Sequence, residues 1–353
     1  MECVTLVGGQ SMPMVGLGTW KSASEQVERV VCAAIRNGYR LIDCANDYGN
    51  EAAVGRAIAR MVAEGVVTRD ELFVQVKLWN TNHRREHVRE DLLASLHDLQ
   101  LTYVDSFVIH WPQACPATGE CSATFAKHGT QPENSIHTMF PLDENGCYRA
   151  DKQSHYVETW HAMEALVDEG LARTIGLSNF NAKQVKEILL NVRKHRPAVL
   201  QNECHPFLQQ RDLLDLCKGQ NIVLQAYSPL GSGDRPWLRQ PSDPELLQDQ
   251  AIVRIAERHG KTPAQVVLRW QLERGVSVVP KTVNEGRLVE NFNVCDFRLS
   301  DDDMREFNKL NIGWRYLLWP ETSAHPDYPF KDELPWDYEL DRAPLNTSKS
   351  VTM

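Results

Sequence analysis

The sequence contains no apolar run of about 18 residues, the minimum length of a membrane-spanning helix. Its first residues, Met1 to Thr5, also lack the basic start and apolar stretch of a secretory signal peptide. Both observations argue against a membrane span and against export. The sequence therefore predicts a cytoplasmic location.

Positive charge is scarce as well, since 38 lysines and arginines stand against 47 aspartates and glutamates and the formal net charge is -9. The basic residues are spread among acidic ones. A broad electropositive surface is the usual sign of binding to nucleic acid or anionic lipid. We therefore expect neither nucleic acid nor a membrane as a partner, so any bound phosphate must be held by a local site.

The nine cysteines are an odd number at irregular spacing, which does not suit a disulfide framework. Four of them lie in apolar surroundings that predict small buried side chains: Cys32, Cys44, Cys204 and Cys217. A metal module is the alternative, because four soft ligands fall within one segment: Cys115, Cys121, His128 and His137. In common zinc sites paired ligands lie about two to five residues apart. This spacing does not match, so we predict no metal.

Motifs of several enzyme classes are missing. Neither the hydrolase elbow Gly-x-Ser-x-Gly nor the metalloprotease helix His-Glu-x-x-His occurs, which leaves a hydrolase function without support. The dinucleotide fingerprint Gly-x-Gly-x-x-Gly is incomplete, because Gly16 and Gly18 are followed by Lys21 at the third glycine position. A bulky Trp20 also stands where phosphate-facing backbone would be expected. An open dinucleotide-binding sheet is therefore disfavoured.

The sequence does contain a regular alternation of strand-like and helix-like segments. Eight short β-rich runs recur, at residues 15–17, 41–42, 73–76, 107–109, 174–177, 199–200, 222–224 and 276–279. Helical patterns lie between them, at 25–36, 51–63, 87–99, 157–167, 182–191, 213–218 and 251–272, with Pro263 opening a second helix and one more helix after Thr282. Such alternation is typical of parallel βαβ units, which form an open doubly wound sheet or a closed barrel. Because the fingerprint is incomplete and 353 residues suit one barrel, we predict an α/β fold, a (β/α)8 TIM barrel.

Three segments fall outside this alternation. Two short runs, 4–7 and 11–15, around Gly8 and Gly9 predict an N-terminal β-hairpin. Residues 113–153 form a long loop after strand 4, which at the active face of a barrel is typical of a substrate wall or lid. Residues 337–353 are polar and are predicted to be a flexible tail. We thus expect one domain over residues 1–336, with a C-terminal extension.

Polar side chains follow three neighbouring strands. Asp43 comes directly after the second strand and Tyr48 soon follows, Lys77 comes directly after the third, and His110 follows the fourth. In a barrel these strand ends are neighbours, so the four side chains should converge. Hydride reduction of a carbonyl leaves an alkoxide that must be protonated. A tyrosine, with a free pKa of about 10, becomes a better acid when an ammonium lowers that pKa.

We therefore predict Tyr48 as the acid, Lys77 as the group that lowers its pKa and Asp43 as the anchor of Lys77. His110 would hydrogen-bond the substrate carbonyl and orient it, between apolar walls formed by Trp20, Trp79 and Trp111. Each residue also has a structural alternative, since Asp and Lys at strand ends often form a structural ion pair, and a single His is often a structural hydrogen-bonding residue. The combination of four suitable residues after successive strands favours catalysis.

Four strings, in order along the chain, carry a resemblance to a known family. They are Gly-Leu-Gly-Thr-Trp (16–20), Leu-Ile-Asp-Cys-Ala-Asn-Asp-Tyr-Gly-Asn-Glu (41–51), Gly-Leu-Ser-Asn-Phe (176–180) and Pro-Lys-Thr (280–282). The chain resembles the aldo-keto reductases from Val4 to about Phe330, and among them aldehyde reductase at 155–160 and 313–316. The resemblance implies a TIM barrel, NADPH bound without a Rossmann fold, and a catalytic tetrad of Asp43, Tyr48, Lys77 and His110.

The resemblance also implies a site for NADPH or NADP+. The residues at the nicotinamide would be Ser178, Asn179, Gln201 and Tyr227, and the cofactor site would also include Thr19 and Trp20. The loop that covers the pyrophosphate would include Ser228, Leu230 and Ser232, the 2′-phosphate would lie at Lys281, Thr282 and Arg287, and the adenine at Glu290 and Asn291. Lysine and arginine at a helix N-terminus suit a phosphate, because they supply a point charge and a fork of donors.

The predicted function is therefore the NADPH-dependent reduction of a small aldehyde or ketone to the alcohol, by a monomeric protein. The substrate side departs from aldehyde reductase, because the loop 113–153 is longer, the segment between Trp319 and His325 is shorter, and no arginine occurs between Arg315 and Arg342. We therefore expect neutral aldehydes to be favoured over acidic ones. The alternative is a non-catalytic or regulatory NADP-binding member of the superfamily.

Overall fold

A hairpin and eight parallel strands form the β-structure of the chain. The computed structural model describes residues 2–117, 139, 141–143, 148–233, 235 and 243–333. Strands β1 (Cys3–Thr5) and β2 (Ser11–Pro13) pair antiparallel. The parallel strands are β3 (Gly16–Gly18), β4 (Leu41–Asp43), β5 (Phe73–Leu78), β6 (Val104–Ile109), β7 (Ala172–Ser178), β8 (Val199–Glu203), β9 (Val223–Tyr227) and β10 (Ser277–Val278). The predicted hairpin and the eight predicted strands are confirmed, with bounds that differ by a few residues.

The parallel strands neighbour one another in chain order, and the first and last of them also meet. Val15 forms a parallel bridge with Val278, and Gly18 forms one with Lys281. The Gly18 N–H donates to the carbonyl oxygen of Pro280 at 3.1 Å. The sheet therefore closes into the predicted (β/α)8 barrel and is not an open doubly wound sheet, whose strand order reverses at a switch point.

Barrel closure explains one of the two glycines of the incomplete fingerprint. A Cβ atom on Gly18 would lie 2.8 Å from the carbonyl oxygen of Val279, closer than such contacts normally come. Glycine at position 18 thus allows β3 to approach the chain that leaves β10.

Helices follow the strands around the barrel. They are α1 (Ser24–Arg36), α2 (Glu51–Ala63), α3 (Arg85–Leu99), α4 (Tyr156–Asp168), α5 (Ala182–Asn191), α6 (Arg211–Gly219), α7 (Gln250–His259), α8 (Pro263–Glu273), α9 (Glu285–Phe292) and α10 (Asp301–Asn308). The predicted helices are confirmed, including the one opened by Pro263, where Thr262 caps the helix by accepting the Gln265 N–H at 3.2 Å. Helix α10 was not predicted, although Ser300 and Asp303 form a capping box that signals its start.

The core is apolar and extends from the strands to the inner faces of the helices. Its fully buried side chains include Val76, Phe107, Trp160 and Leu200. Burial of an aliphatic or aromatic side chain of this size contributes roughly 1.5–3 kcal/mol. The four cysteines expected to be buried are confirmed as buried free thiols. A separate cluster at the C-terminal mouth of the barrel contains Trp79, Trp111, Met139, Tyr328 and Phe330.

The long loop after β6 is anchored at both of its ends. The Cys115 N–H donates to the Asn80 carbonyl oxygen at 2.8 Å, and the Asp151 N–H donates to that of Ala114 at 2.8 Å. Most of the loop's middle and the tail at 337–353 lie outside the described residues. The single domain over 1–336 and the flexible tail stay predictions.

Candidate active site

The four predicted catalytic residues meet at the C-terminal mouth of the barrel. Asp43 ends β4, and Tyr48 ends a 3-10 turn (Asn46–Tyr48) that follows it. Lys77 lies near the end of β5, and His110 follows β6 directly. Since parallel strands present their C-terminal ends at one edge, the expected convergence of these side chains is observed.

Asp43 and Lys77 form a buried ion pair. The Lys77 ammonium donates to Asp43 Oδ1 at 2.8 Å and to the Cys44 carbonyl oxygen at 2.9 Å, with its side chain fully buried. The same Asp43 oxygen accepts hydrogen bonds from the Gln75 and Gln201 side-chain amides, each at 2.9 Å. A buried ion pair needs such additional partners to offset the loss of hydration. The position of Lys77 is therefore well determined.

Tyr48 lies beside this ion pair, with Lys77 Nζ 4.9 Å from the centre of its ring. Burial, followed by the nearby carboxylates of Asp43 and Asp47, raises the pKa of the Tyr48 phenol well above its ordinary value. This direction differs from the expected lowering by Lys77, because desolvation and two carboxylates outweigh one ammonium. The phenol is therefore protonated at neutral pH, which is the form that an acid requires.

His110 packs between two aromatic rings and a carboxylate. Its ring centre lies 5.9 Å from that of Tyr48 and 5.3 Å from that of Trp79, both edge-on. Its Nδ1 lies 3.0 Å from Asp47 Oδ1. Asp47 was not among the predicted site residues, although it directly precedes Tyr48.

An aromatic wall adjoins His110. Trp319 lies near Trp79, with ring centres 6.0 Å apart, and near Trp111 at 5.1 Å and Tyr148 at 5.5 Å. The Trp79 indole N–H donates to the Met139 carbonyl oxygen at 2.9 Å. The predicted wall residues Trp79 and Trp111 are thus brought together. Trp20 packs against a second cluster, which contains Phe207, Leu246 and Tyr316, and its role in the substrate wall stays a prediction.

The cofactor candidates nearest the tetrad form hydrogen bonds with one another and with the backbone of tetrad residues. The Tyr227 hydroxyl donates to Asn179 Oδ1 at 2.7 Å, and the Asn179 amide donates to the carbonyl oxygen of His110 at 2.9 Å and to Ser178 Oγ at 3.3 Å. Asn179 has φ +60, a left-handed conformation that asparagine tolerates better than most residues. Thr19 Oγ1 donates to the carbonyl oxygen of Asp43 at 2.9 Å.

The remaining candidates lie after β9 and after β10, in the loops that leave these strands and in helix α9. After β9, Ser228 has φ +46, and Ser232 Oγ accepts from the Lys21 ammonium at 3.4 Å, with Leu230 between them. After β10, Lys281 and Thr282 precede α9, whose first turn contains Arg287. Further along α9, Glu290 accepts from the Thr262 hydroxyl at 2.6 Å, and Asn291 is buried.

A model of the Aldo/keto reductase family matches residues 14–312, which is most of the chain. The chain belongs to the aldo-keto reductase family. Its relatives include Aldo-keto reductase family 1 member A1 of Bos taurus, 44% identical over 341 residues that cover 94% of this chain and 98% of that protein. The human protein of the same name is 44% identical over 343 residues, with the same coverage. Aldo-keto reductase family 1 member A1-A of Danio rerio is 45% identical over 338 residues, covering 93% and 98%.

A solved aldo-keto reductase has the same fold. The structure of the aldose reductase from Schistosoma japonicum matches with a TM-score of 0.83 and 38% identity, covering 95% of this chain and 100% of that one. Together with the family match, these relatives support an oxidoreductase that reduces carbonyl groups. No helix in the described ranges is long and apolar enough to cross a membrane.

Among the described residues of this aldo-keto reductase, no group of three or more His, Cys, Asp or Glu could hold a metal ion. Cys115, a member of the alternative metal module, is buried, and burial raises the pKa of its thiol to about 12. A protonated thiol is a poor metal ligand. Cys121, His128 and His137 lie outside the described residues.

Sequence reasoning missed several residues of the site. Gln75 could have been found, because it lies two positions before Lys77 and so faces the same side of β5. Gln225 links Gln75 and Gln201 inside the barrel, accepting from each at 2.7 Å. Nothing in the sequence marks Gln225, because its partners come from other strands.

Proposed function

We propose that this aldo-keto reductase catalyses the NADPH-dependent reduction of aldehydes and ketones to alcohols, with Tyr48 as the general acid. The observation that carries the proposal is the buried Asp43–Lys77 pair, with an N···O distance of 2.8 Å, lying against the Tyr48 ring beside His110. Carbonyl reduction needs an acid, a cation that stabilises the negative charge left on that acid, and a hydrogen-bonding group such as an imidazole.

The donor set at the mouth of the barrel suits NADPH. The Arg287 side chain is exposed and makes no hydrogen bond or ion pair within the described part of the chain, which leaves its guanidinium for a phosphate. Lys281 and Thr282 lie just before the N-terminus of the same helix, α9. Ser178, Asn179 and Gln201 supply the amide and hydroxyl groups for a carboxamide, and Tyr227 supplies a partly buried ring. When bound, NADPH supplies the hydride.

The protein's own part in the reaction is to bind and protonate the carbonyl oxygen. His110 hydrogen-bonds that oxygen and orients the substrate, while Tyr48 donates its phenolic proton as negative charge develops there. Lys77 stabilises the resulting phenolate, and Asp43 holds Lys77 in place. The raised pKa keeps the Tyr48 phenol protonated in the resting protein, and the Lys77 ammonium offsets the lower acidity by stabilising the phenolate as it forms.

The aromatic wall of Trp79, Trp111 and Trp319 surrounds this point with apolar surface. Exclusion of water strengthens each electrostatic interaction between the tetrad and the substrate oxygen. An apolar wall also favours aldehydes with neutral aromatic or aliphatic substituents.

A panel of carbonyl compounds, assayed with NADPH and with NADH by the absorbance of the reduced nicotinamide, tests the proposal. We expect turnover of reactive aldehydes, faster with NADPH at limiting cofactor. Tight NADPH binding without turnover of any panel member would instead indicate the non-catalytic alternative. The cytoplasmic location and the monomeric state stay predictions.

A further inference from the structure

The buried contact between Asp47 and His110 is not explained by the tetrad. Asp47 Oδ1 lies 3.0 Å from His110 Nδ1, within ion-pair distance. Neither atom forms a hydrogen bond in the described ranges, so the contact lacks the alignment of a hydrogen bond. Only 11% of the Asp47 side chain and 10% of the His110 side chain are exposed. Buried polar atoms without a partner are uncommon, so two of them at this distance indicate a pair.

The backbone on the Asp47 side holds the carboxylate at that point. The neighbouring Asn46 amide donates to Asp91 Oδ1 at 2.6 Å, which joins the 3-10 turn to helix α3. The turn ends at Gly49, whose φ is +65 and whose N–H donates to the Asn46 carbonyl oxygen at 3.1 Å. The turn therefore has little freedom to move Asp47 away from His110.

The backbone of His110 is held as firmly as the turn that contains Asp47. Its N–H donates to the Leu78 carbonyl oxygen at 3.1 Å, and its carbonyl oxygen accepts from Asn179 at 2.9 Å. The ring packs edge-on to Tyr48 and Trp79. With Nδ1 buried on the Asp47 side, Nε2 is the ring nitrogen that remains accessible from the pocket.

Hydrogen-bond chemistry then determines what His110 can offer a substrate. A ring nitrogen that faces a carboxylate oxygen carries a proton, because a carboxylate only accepts. In a neutral ring Nε2 is then an acceptor, and only the doubly protonated ring donates Nε2–H to a carbonyl oxygen. The charged and titratable groups that adjoin the ring are Asp47 and Tyr48 from the turn, and beyond Tyr48 lies the Lys77–Asp43 pair from the strand ends.

We propose that Asp47 is a positioning residue for carbonyl reduction, which holds His110 with Nε2 toward the pocket and favours the doubly protonated ring that donates to the substrate. The inference rests on the proposed function. His110 keeps both of its protons throughout, and the proton that the carbonyl oxygen gains comes from Tyr48. A carboxylate next to an imidazole favours the charged ring, and a charge-assisted hydrogen bond is stronger than a neutral one.

Two substitutions separate the charge of Asp47 from its hydrogen-bonding oxygen. Asp47→Asn keeps the size and an acceptor but removes the charge, whereas Asp47→Leu removes both. The exposed Asp212→Asn on α6 is the matched control. We expect Asp47→Leu to reduce kcat/KM for a neutral aldehyde at least ~10-fold across the pH range, with NADPH affinity within about twofold of wild type. Asp47→Asn should be close to wild type at acidic pH and should lose activity at a lower pH than wild type as the pH rises.

The state of the ring can be read without turnover. Imidazole ¹⁵N chemical shifts of histidine-labelled protein report which nitrogen is protonated, and His110→Gln identifies the His110 signals among the 12 histidines. We expect a protonated Nδ1 in wild type and a loss of this preference in Asp47→Leu. Unchanged His110 signals in Asp47→Leu, or a kinetic pH profile of Asp47→Asn that superimposes on wild type, would overturn the inference. A wild-type protein that reduces no carbonyl contradicts the proposed function, while the ¹⁵N shifts still decide whether Asp47 sets the state of His110.

Discussion

At the scale of single residues, the Tyr48 phenol is held in its protonated form by its surroundings. Burial and the carboxylates of Asp43 and Asp47 raise its pKa. The Lys77 ammonium lies near enough to stabilise the negative charge of the phenolate that forms when the proton leaves. In the proposed mechanism the two effects act at successive stages of one proton transfer. A raised pKa in the resting protein is therefore compatible with the role of an acid.

We predict that Tyr48→Phe reduces aldehydes at least ~100-fold more slowly than wild type, because a positioned general acid contributes about 10²- to 10⁴-fold. The variant keeps the ring that packs against His110, so NADPH binding, followed by quenching of tryptophan fluorescence, should be nearly unchanged. The measurement is kcat with saturating cofactor. Activity within tenfold of wild type would remove Tyr48 from the mechanism.

At the scale of elements, helix α9 presents its N-terminus and first turn to the face that contains the tetrad. Its cap is Asn284, whose Oδ1 accepts the Arg287 N–H at 3.0 Å. This bond fixes the backbone of Arg287 and leaves the guanidinium exposed. The cap therefore fixes the backbone of the residue that we propose for the 2′-phosphate.

We predict that Arg287→Leu weakens NADPH binding by about 1.5–3 kcal/mol, the range for a hydrogen bond to a charged group, and leaves NADH nearly unchanged. Dissociation constants of both cofactors are the measurement. The exposed Arg193→Leu, on the opposite end of the barrel before β8, is the control and should alter neither. An equal loss for both cofactors would show that Arg287 does not read the 2′-phosphate.

The C-terminal segment after α10 is a second element that bears on substrate choice. The Glu203 carboxylate accepts the N–H groups of Tyr316 at 2.6 Å and Leu317 at 2.9 Å, which docks the segment on the barrel. Arg315 pairs with Glu333 through two hydrogen bonds of 2.6 and 2.8 Å and lies 3.6 Å over the Phe330 ring. This arginine is thus committed to the fold and is not placed to bind a substrate carboxylate.

Because Arg315 is already paired with Glu333, we predict that neutral aromatic or medium-chain aldehydes are preferred over the anionic glucuronate. The preference should be at least ~10-fold in kcat/KM, about 1.4 kcal/mol. Desolvating an anion against an apolar wall is costly without a bidentate partner. Competing assays at matched concentrations measure this preference. If glucuronate proved the better substrate, alanine substitutions at Lys127, Arg149 and Lys152 of the long loop would reveal which cation binds it.

At the scale of the whole molecule, two buried groups make the stability of the fold change with pH in opposite directions. Burial raises the pKa of Glu51 from 4.5 to about 8, and burial lowers the pKa of His83 from 6.5 to about 3. Folded Glu51 holds a proton that the unfolded chain releases, so stability is lost as the pH rises from about 4.5 to about 8. Folded His83 excludes a proton that the unfolded chain binds, so stability is lost as the pH falls from about 6.5 to about 3.

We predict that Glu51→Gln removes the first of these dependences. The free energy of unfolding of the variant, relative to wild type, should rise by about 2–4 kcal/mol between pH 5 and pH 8, since one titrating group contributes at most about 1.4 kcal/mol per pH unit. Denaturant titrations at several pH values provide the measurement. Glu86→Gln, an exposed carboxyl on α3, should run parallel to wild type. If Glu51→Gln also runs parallel, the carboxyl is not held protonated in the folded state.

The sequence by itself determined the barrel and the location of its active face. Hydrophobic periodicity and turn residues mark each strand, and the strands alternate with helices. Because parallel strands of a barrel end at one edge, Asp43, Lys77 and His110 had to converge there. Only the tertiary structure determined which side chains from different segments contact one another. The sequence carries no signal that Asp47 lies against His110 or that Trp319 packs on Trp111, because these contacts join distant segments. The protonation state of Tyr48 was also a tertiary property, since burial and charges from separate elements determine a pKa and local pattern does not.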